Sequence, residues 1–349
     1  MKKILLSLVC CAAAVLAPAV ANAQSAAEPA ADSAAVSAAE APAEDGYKMT
    51  YVVSTQDEFL GLLEEAVRTE GEDLGVQIDA LYAGTDLEKM ISCIEAAKTA
   101  GQDAVLINLI QADDAAACIE AAGDMKVVFI NRVPSDYSVL GDNAAAVASD
   151  EHLSGKYQGE FLADFFNKEG KTEVKYLLLK GTDGLIHTTL RTEGAIKAME
   201  DAGITMTEAG VISADYDRIT AKEAMDGLLQ EGLDADCIIS NNDAMALGAI
   251  LALKDADMDP ASLPITGIDA TADAVEAVKN GEMAMTVYQN ANAQARQSIL
   301  AAIDLLEGNP LTANEDRAVS EESDHVLYVP FVPVTNENVD TFKDYPENP

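Results

Sequence analysis

The sequence has few histidines and lacks the motifs that mark metal sites and hydrolases. It contains three histidines, His152, His187 and His325, and they are too scattered to form a metal cluster. It has no HExxH motif, no paired cysteine motif and no G-x-S-x-G elbow, and "GTDG" is not a P-loop. The sequence therefore predicts no catalytic residue, no metal site and no cofactor.

Cysteine is too rare for a disulfide framework. Of the five cysteines, Cys10 and Cys11 lie in the N-terminal segment, which leaves Cys93, Cys118 and Cys237. An odd number of cysteines within apolar segments favours buried thiols over disulfides, even in an exported protein.

Basic residues are also scarce. The chain has 22 Lys and Arg against 60 Asp and Glu, which gives a formal net charge of −38. A chain this acidic is a poor partner for the phosphates of nucleic acids and for anionic membrane surfaces. We therefore predict that nucleic acid is not among its partners.

The apolar run at the N-terminus is too short to span a bilayer, and no second candidate span follows it. Lys2 and Lys3 precede this run, and the small residues Ala21 and Ala23 follow it. This pattern predicts a secretory signal peptide over residues 1–23. A lipoprotein anchor is disfavoured because no small residue precedes Cys10. Residues 24–46 hold mostly Ala, Pro, Ser and acids and predict a disordered spacer.

From Tyr47 onwards, short apolar runs alternate with longer helical stretches. This alternation predicts an α/β fold in which a parallel sheet is covered on both faces. There are too many units for one sheet, and the pattern pauses over residues 135–155. We predict two doubly wound lobes joined by a hinge: residues 47–150 plus about 290–320, and residues 151–289 plus about 321–345.

Polar residues follow several of the predicted strands, at the edge where open parallel sheets bind ligands. In "CIISNNDAMALGA", Asn241 and Asn242 end a strand, and Asp243 can cap the next helix, which leaves Asn242 as a candidate ligand contact. Turn or cap chemistry explains any one such residue, but not their repetition. Amides and carboxylates suit vicinal hydroxyls, and an aromatic ring can stack on a sugar, so the pattern predicts a sugar site. The equivalent positions after other strands are Asp57, Phe59, Asn131 and Asp269.

A further candidate pair lies in "GTDGLIHTTLRTEGA". Arg191 comes one helical turn after His187, so both side chains project from one face near the start of a helix. The guanidinium of Arg191 can donate to a ring oxygen and a hydroxyl together. The alternative is a surface ion pair between Arg191 and Glu193 or Asp183.

Several segments together resemble a known family: "KVVFINRVPS", "VKYLLLKGTDG", "TLRTEGAIKAMEDAGI", "DCIISNNDAMALGAILALK", "ITGIDATADAVEAVKNGEMAMTVYQNANAQA" and "HVLYVPFVPVT". They are similar to the periplasmic galactose/glucose-binding proteins of the type I sugar-binding family. The likeness runs from about Lys48 to Phe342.

The resemblance implies a monomeric, two-lobed periplasmic receptor that closes on a monosaccharide. It implies delivery of that sugar to the permease of an ABC importer, and a chemoreceptor as a possible second partner. By matched position, the sugar contacts are Asp57, Phe59, Asn131, Arg191, Asn242 and Asp269.

The chain departs from the family at four positions of the expected site. Leu185 stands where the family has a histidine, and His187 stands where it has an aspartate. Tyr216 replaces a stacking tryptophan, and Gln289 replaces an asparagine. Tyr216 still offers an aromatic face and His187 can still bind a hydroxyl, so we keep His187, Tyr216 and Gln289 as site residues.

The calcium loop of the family is absent from the sequence. The corresponding segment, "FFNKEGKTEV", carries Lys168 and Lys171 where acidic ligands are needed. We therefore predict no calcium site.

Two other classes of protein remain as alternatives. One is an exported carbohydrate-active enzyme on the same kind of scaffold. The other is a sensory binding protein for a different sugar, such as a pentose.

Overall fold

The protein is described by a computed structural model that covers residues 46–313 and 317–342. The predicted signal peptide and all but the last residue of the predicted spacer lie outside these residues. Two sheets, each covered by helices, form two lobes. This confirms the two-lobed α/β fold. No helix within the described ranges is long and apolar enough to cross a bilayer.

The first lobe is built around a seven-stranded sheet with the order β11-β12-β5-β4-β3-β1-β2. Its pairs are parallel except for β11 with β12. The strands are β1 (Lys48–Val53), β2 (Gln77–Tyr82), β3 (Ala104–Ile107), β4 (Lys126–Ile130), β5 (Ala144–Ala148), β11 (Ala318–Val319) and β12 (Val326–Tyr328), and the helices are α1 (Glu58–Asp73), α2 (Leu87–Thr99), α3 (Ala115–Ala122) and α9 (Ala291–Glu307).

The second lobe is built around a six-stranded sheet with the order β13-β10-β9-β8-β6-β7. Only the pair of β10 with β13 is antiparallel. The strands are β6 (Glu173–Lys180), β7 (Thr205–Ser213), β8 (Cys237–Ser240), β9 (Ile265–Thr266), β10 (Met285–Tyr288) and β13 (Val332–Thr335), and the helices are α4 (Glu151–Glu169), α5 (Ile186–Asp201), α6 (Arg218–Glu231), α7 (Asp243–Asp255) and α8 (Ala272–Lys279).

Strand β1 illustrates how the first sheet buries both of its faces. Met49, Tyr51 and Val53 pack into one apolar cluster, while Val52 packs into another cluster on the opposite face. Successive side chains of a strand point to opposite faces. Both sets are apolar here because helices cover the sheet on each side. Helix α1 follows the carboxyl end of this buried strand, so the strand fixes where α1 begins.

The described chain passes between the lobes in three short segments. They lie between Ala148 and Glu151, between Tyr288 and Ala291, and between Tyr328 and Val332. The sequence analysis assigned residues from about 321 to the second lobe, and for β12 this prediction is wrong. Val326 pairs with Ala146 of the first sheet, so the last crossing comes after β12.

The predicted pause over residues 135–155 contains a strand. β5 is "AAAVA", its residues are all buried, and it lies between β4 and β12. Four alanines provide neither the bulky β-branched residues nor the alternation that predicts a strand. Small residues suffice here because neighbouring strands and helices enclose β5 on every side.

The three described cysteines are free thiols. Cys118 and Cys237 are buried, as expected of small apolar side chains, whereas Cys93 is half-buried. Burial raises the pKa of both Cys118 and Cys237 to about 12. These two thiols are therefore protonated and unreactive at neutral pH.

Candidate ligand-binding site

The nine side chains predicted as ligand contacts line one cavity between the lobes. The empty space between the lining residues amounts to about 370 Å³. It lies outside the carboxyl ends of the strands, as the sequence analysis predicted. Its lining comprises Asp57, Phe59, Leu60, Asn131, Arg132, Leu185, His187, Arg191, Tyr216, Asn242, Asp269 and Gln289.

Asp57 and Phe59 enter the cavity from the start of α1. Asp57 is the N-cap residue, and its Oδ1 accepts a hydrogen bond from the backbone N–H of Leu60 at 2.8 Å. Burial raises the pKa of the Asp57 carboxyl, while this hydrogen bond and Arg132 act in the opposite direction. The cap fixes the carboxylate at the cavity wall, and Phe59 supplies an apolar face next to it.

Asn131 and Arg132 follow β4. Asn131 adopts a left-handed backbone conformation with φ of 69°, and its side-chain oxygen accepts from Asn108 at 3.2 Å. Arg132 donates from Nη1 to Ser54 and to the carbonyl of Leu109. Among the described residues, Nε and Nη2 of Arg132 have no hydrogen-bond acceptor. A buried guanidinium thus carries free donors at the cavity wall.

Arg191 is held by a buried acid on the neighbouring helix. Its Nε and Nη2 donate to the two carboxylate oxygens of Glu151 at 2.6 and 2.9 Å. Nη1 donates to the carbonyl of Asn241, and Nη2 also donates to Oε1 of Gln289. Four of the five N–H groups of a guanidinium are thereby used, so Arg191 retains one N–H for a ligand and holds Gln289 in place.

The surface ion pair considered for Arg191 does not form. Glu193 is exposed, and Asp183 forms an ion pair with Lys180. Removing one partner of a buried pair such as Arg191 and Glu151 leaves an uncompensated charge, which typically costs about 3–5 kcal/mol. The pair therefore makes the position of Arg191 rigid.

His187 joins the lobes at the cavity. Its Nε2 lies 3.3 Å from the carbonyl oxygen of Asn131, so Nε2 carries the proton that is donated to this carbonyl. Burial lowers the pKa of His187 to about 4, although Glu151 opposes the shift. In the part of the chain that the structure describes, Nδ1 has no partner. At neutral pH, Nδ1 is therefore a free acceptor.

Tyr216 lies over a glycine of the second lobe. A Cβ atom at Gly181 would come within 2.1 Å of the Tyr216 ring, so only glycine leaves room for the ring at this point. The Tyr216 hydroxyl is 2.8 Å from Oγ1 of Thr188. The ring is thus held flat against the loop after β6, with its hydroxyl already bonded to the protein.

Asn242 is the cap residue of α7, which corrects the sequence analysis. The sequence predicts Asp243 as the cap, but Oδ1 of Asn242 accepts from the backbone N–H of Met245 at 3.0 Å and Asp243 begins the helix. The amide nitrogen of Asn242 lies 3.4 Å from the Tyr216 carbonyl oxygen. The cap therefore turns this amide group towards the cavity.

Asp269 and Gln289 complete the wall of the second lobe. Burial raises the pKa of the Asp269 carboxyl well above its usual range, while Arg191 acts to lower it. Gln289 is 1% exposed, and its Nε2 has no hydrogen-bond partner within the described ranges. A buried amide without a partner is costly. A polar ligand that accepts a hydrogen bond from this group would remove that cost.

Strained backbone conformations are concentrated at the cavity. Asn131, Tyr216 and Asp269 have φ values of 69°, 65° and 125°, and Ala270 follows at 53°. Residues other than glycine adopt such values at a cost of order 1–3 kcal/mol each, and this strain is typical of functional sites. The strain is a second, independent feature that makes the cavity the candidate functional site.

Sequence analysis missed Leu60 and Arg132 as lining residues. Arg132 directly follows Asn131 in "VVFINRVPS", and a charged residue immediately after a buried strand was the available signal. Leu185, known only as a departure from the family, also lines the cavity. Its side chain is apolar, and the wall lacks a hydrogen-bonding group at this position.

The segment that corresponds to the calcium loop of the family is a helix end. Gly170 ends α4 in a left-handed conformation with φ of 72°. Lys171 pairs with Asp236 at 2.5 Å and lies near the Phe166 ring. A lysine engaged in this way is part of the local packing of the second lobe.

A family model described as a periplasmic binding protein domain matches residues 49–310. The chain belongs to this family. A relative named for rhizopine binding in Rhizobium meliloti is 31% identical over 290 residues, which cover 81% of this chain and 86% of the relative. The galactose/methyl-galactoside binding protein MglB of Haemophilus influenzae is 29% identical, with 82% and 88% of the chains covered.

Solved structures of periplasmic binding proteins share the fold. A solute-binding protein of an ABC transporter from Bacillus halodurans, solved with myo-inositol, is 26% identical with a TM-score of 0.73. The match covers 86% of this chain and 98% of that protein. The chain is thus a type I periplasmic sugar-binding protein of an ABC importer, and it is not an enzyme.

Proposed function

We propose that this periplasmic binding protein captures a monosaccharide, with a galactose- or glucose-like hexose favoured, when its lobes close. The observation that carries the proposal is the cavity lined by polar groups from both lobes, in which Nε2 of Gln289 is buried without a described partner. A neutral polyol satisfies such groups because each hydroxyl both donates and accepts. The bound sugar is then delivered to the permease of the importer.

The role of each site residue follows from the hydrogen-bonding groups that it can still offer to a ligand. Asp57 and Asp269 provide carboxylate oxygens for hydroxyl donors, and Nδ1 of His187 is a third acceptor. Arg132, Arg191 and Gln289 provide N–H donors. Asn131 and Asn242 provide amide groups from the two lobes, and Phe59 and Tyr216 offer ring faces to the C–H side of the sugar.

A closed state that traps the ligand follows from this division between the lobes. Asp57 and Asn131 belong to the first lobe, and Arg191, Asn242 and Asp269 belong to the second. Only the closed state lets all of them contact one ligand, so the ligand shifts the equilibrium from open to closed.

A cyclitol is the second candidate ligand. The 26% identical structure from Bacillus halodurans contains myo-inositol, and Leu185 places an apolar side chain where the resemblance to galactose/glucose-binding proteins implies a histidine. A cyclitol has hydroxyls around its whole ring and no ring oxygen, so its fit depends less on a single polar group. The hexose remains our first proposal because of the segments shared with galactose/glucose-binding proteins.

Two statements about partners remain predictions of the family resemblance. We propose that the protein acts as a monomer, because one chain supplies both walls of the cavity. We also propose that a chemoreceptor is a second partner of the closed form. Sedimentation with and without sugar tests the first statement, and binding to the receptor ectodomain tests the second.

Calorimetric titration with galactose, glucose, ribose and myo-inositol tests the proposed function. We expect a hexose to bind most tightly, and we expect Asp269→Asn to weaken its binding at least about tenfold, because one acceptor oxygen of a buried carboxyl group is lost. Asparagine has nearly the same shape as aspartate, so the substitution changes the hydrogen-bonding groups of the side chain and little else.

The matched control is Asp201→Asn, which removes an exposed carboxylate that pairs with Lys197 on α5 and should leave the affinity unchanged. Tightest binding of myo-inositol would select the second candidate. Binding of none of the four ligands, or equal affinity of Asp269→Asn and the parent protein, would overturn the proposal.

A further inference from the structure

Asp269 and Ala270 form a strained turn that its own sequence does not favour. Both residues have positive φ, at 125° and 53°, and neither is glycine. Such conformations persist only when the surrounding structure holds them. The groups that hold this turn therefore determine where the Asp269 carboxylate lies in the cavity.

The backbone N–H groups of the turn each have a partner. The N–H of Asp269 donates to the carbonyl of Val287 at 2.8 Å. The N–H of Ala270 donates to Oγ1 of Thr286 at 3.2 Å, and the N–H of Thr271 donates to Oδ2 of Asp243 at 2.9 Å. Two of the three anchors are thus side chains from outside the turn.

Asp243 and Thr286 are joined to each other. The hydroxyl of Thr286 donates to Oδ1 of Asp243 at 2.6 Å, so one carboxylate and one hydroxyl form a continuous network beneath the turn. Gly267 leaves the space that this network needs, because a Cβ atom there would come within 2.1 Å of Oδ1 of Asp243. Asp243 and Thr286 are both fully buried, and neither lines the cavity.

We propose that Asp243 and Thr286 are positioning residues that set the affinity for sugar by holding the Asp269 turn in its strained conformation. This inference rests on the proposed function. The two residues do not touch the ligand, so their effect passes entirely through Asp269. Asn242 caps α7, and the side chain of Asp243 instead anchors the turn.

The buried carboxylate is costly to keep, which favours a role that depends on it. Burial raises the pKa of Asp243 to about 7, while the hydrogen bonds from Thr286 and Thr271 act to lower it. The two bonds thus favour the ionised form, which can accept from both donors at once. A serine or asparagine at this position would satisfy fewer of these groups.

Substitution of Thr286 tests the proposal, because its hydroxyl is the link between Asp243 and Ala270. Thr286→Val keeps the shape of the side chain and removes the hydroxyl, and we expect it to weaken sugar binding about tenfold or more. Thr286→Ser restores the hydroxyl and should bind within about threefold of the parent protein.

Thr266→Val is the matched control. Thr266 is a fully buried threonine on β9 whose hydroxyl contacts Gln158 and the carbonyl of Ile238, and it has no bond to the Asp269 turn. This variant should lose thermal stability as Thr286→Val does but bind sugar within about twofold of the parent protein. Equal weakening in both valine variants would overturn the proposal.

A double-mutant comparison separates positioning from general destabilisation. In an Asp269→Asn background, Thr286→Val should change the affinity less than about twofold, because the group that it positions is already altered. Additive effects would contradict the proposal.

Hydrogen exchange of the sugar-free protein provides a readout that does not depend on any ligand. Exchange over residues 268–273 should accelerate in Thr286→Val and not in Thr266→Val. Unchanged exchange in Thr286→Val would overturn the positioning role even if no sugar bound, whereas accelerated exchange without sugar binding would leave the positioning role and overturn the proposed function.

Discussion

Burial determines the charge state of His187 in the site. It is 6% exposed, it contacts Glu151 and the Asn131 carbonyl, and Arg191 and Arg132 lie nearby. Burial outweighs the attraction of Glu151, so the ring remains neutral in the folded protein. In the unfolded chain the same ring ionises at its ordinary pKa of 6.5.

This difference predicts a loss of stability in acid that belongs to His187. The folded pKa is about 4 and the unfolded value is 6.5. As the pH falls from about 6.5 to about 4, the unfolded chain takes up a proton that the folded protein does not. The titration of His187 has no effect on stability above the unfolded pKa. Near pH 4 it lowers the free energy of unfolding by about 3 kcal/mol.

His187→Gln keeps a donor for the Asn131 carbonyl and removes the titration. Urea unfolding at pH 7 and at pH 4.5 should show a smaller loss of unfolding free energy in this variant than in the parent protein. His152→Gln, which changes an exposed histidine on α4, should behave like the parent. An identical loss in all three proteins would contradict the prediction.

At the scale of elements, the close contact of α4 and α5 positions Arg191. A Cβ atom at Gly155 would come within 2.0 Å of the Arg191 carbonyl oxygen, and one at Gly159 would come within 2.2 Å of the Ala195 carbonyl oxygen. Glycines on α4 therefore let the two helix backbones approach each other. This approach brings Glu151 within hydrogen-bonding distance of the Arg191 guanidinium.

Gly155→Ala should push these helices apart. The added methyl group meets backbone rather than a flexible side chain, so we expect a loss of about 2 kcal/mol or more in the free energy of unfolding. Sugar binding should weaken as well, because Arg191 moves relative to Gln289. Denaturant unfolding and calorimetry measure the two effects.

Gly227→Ala provides the control for helix propensity. Gly227 is an exposed residue of α6, and no atom lies within 4 Å of a Cβ atom added there. The same substitution should stabilise the protein by about 0.5–1 kcal/mol. If Gly155→Ala were also stabilising, the close helix contact would not be what holds Arg191 in position.

Local features of the site were predictable from the sequence, whereas features that depend on long-range packing were not. The strand-end rule predicted the common location of Asp57, Asn131 and Asp269, because the direction of parallel strands decides where their ends lie. It could not predict that Arg191 pairs with Glu151, which lies 40 residues earlier. That pair depends on the packing of α4 against α5. Strand β5 was missed because alanines carry little periodic signal.

At the scale of the whole molecule, an ion pair joins the two lobes beside the cavity. Arg218 of α6 donates to both carboxylate oxygens of Glu58 on α1, at 2.8 and 2.7 Å. Glu58 lies between Asp57 and Phe59 in the sequence, so this ion pair joins the second lobe to the wall of the site. Arg218 also pairs with Asp273 in its own lobe, which keeps the guanidinium directed towards α1.

The ion pair predicts how quickly a bound sugar leaves. In the open state that we propose, Arg218 and Glu58 are expected to lie apart, so the pair should stabilise only the closed state. Arg218→Ala should therefore raise the dissociation rate and weaken the affinity about three- to tenfold, the upper end expected of a bidentate pair that is partly exposed to solvent. The association rate and the unfolding temperature of the sugar-free protein should change little.

Stopped-flow measurement of sugar release tests this prediction, and Arg68→Ala is its control. Arg68 forms an ion pair with Glu64 within α1, so its removal deletes a similar exposed charge pair without affecting the contact between the lobes. Release should be as slow in Arg68→Ala as in the parent protein. The effect of Arg218→Ala should also shrink at high salt, because screening weakens the ion pair in the parent protein. Equal release rates in Arg218→Ala and Arg68→Ala would mean that closure depends on the ligand contacts alone.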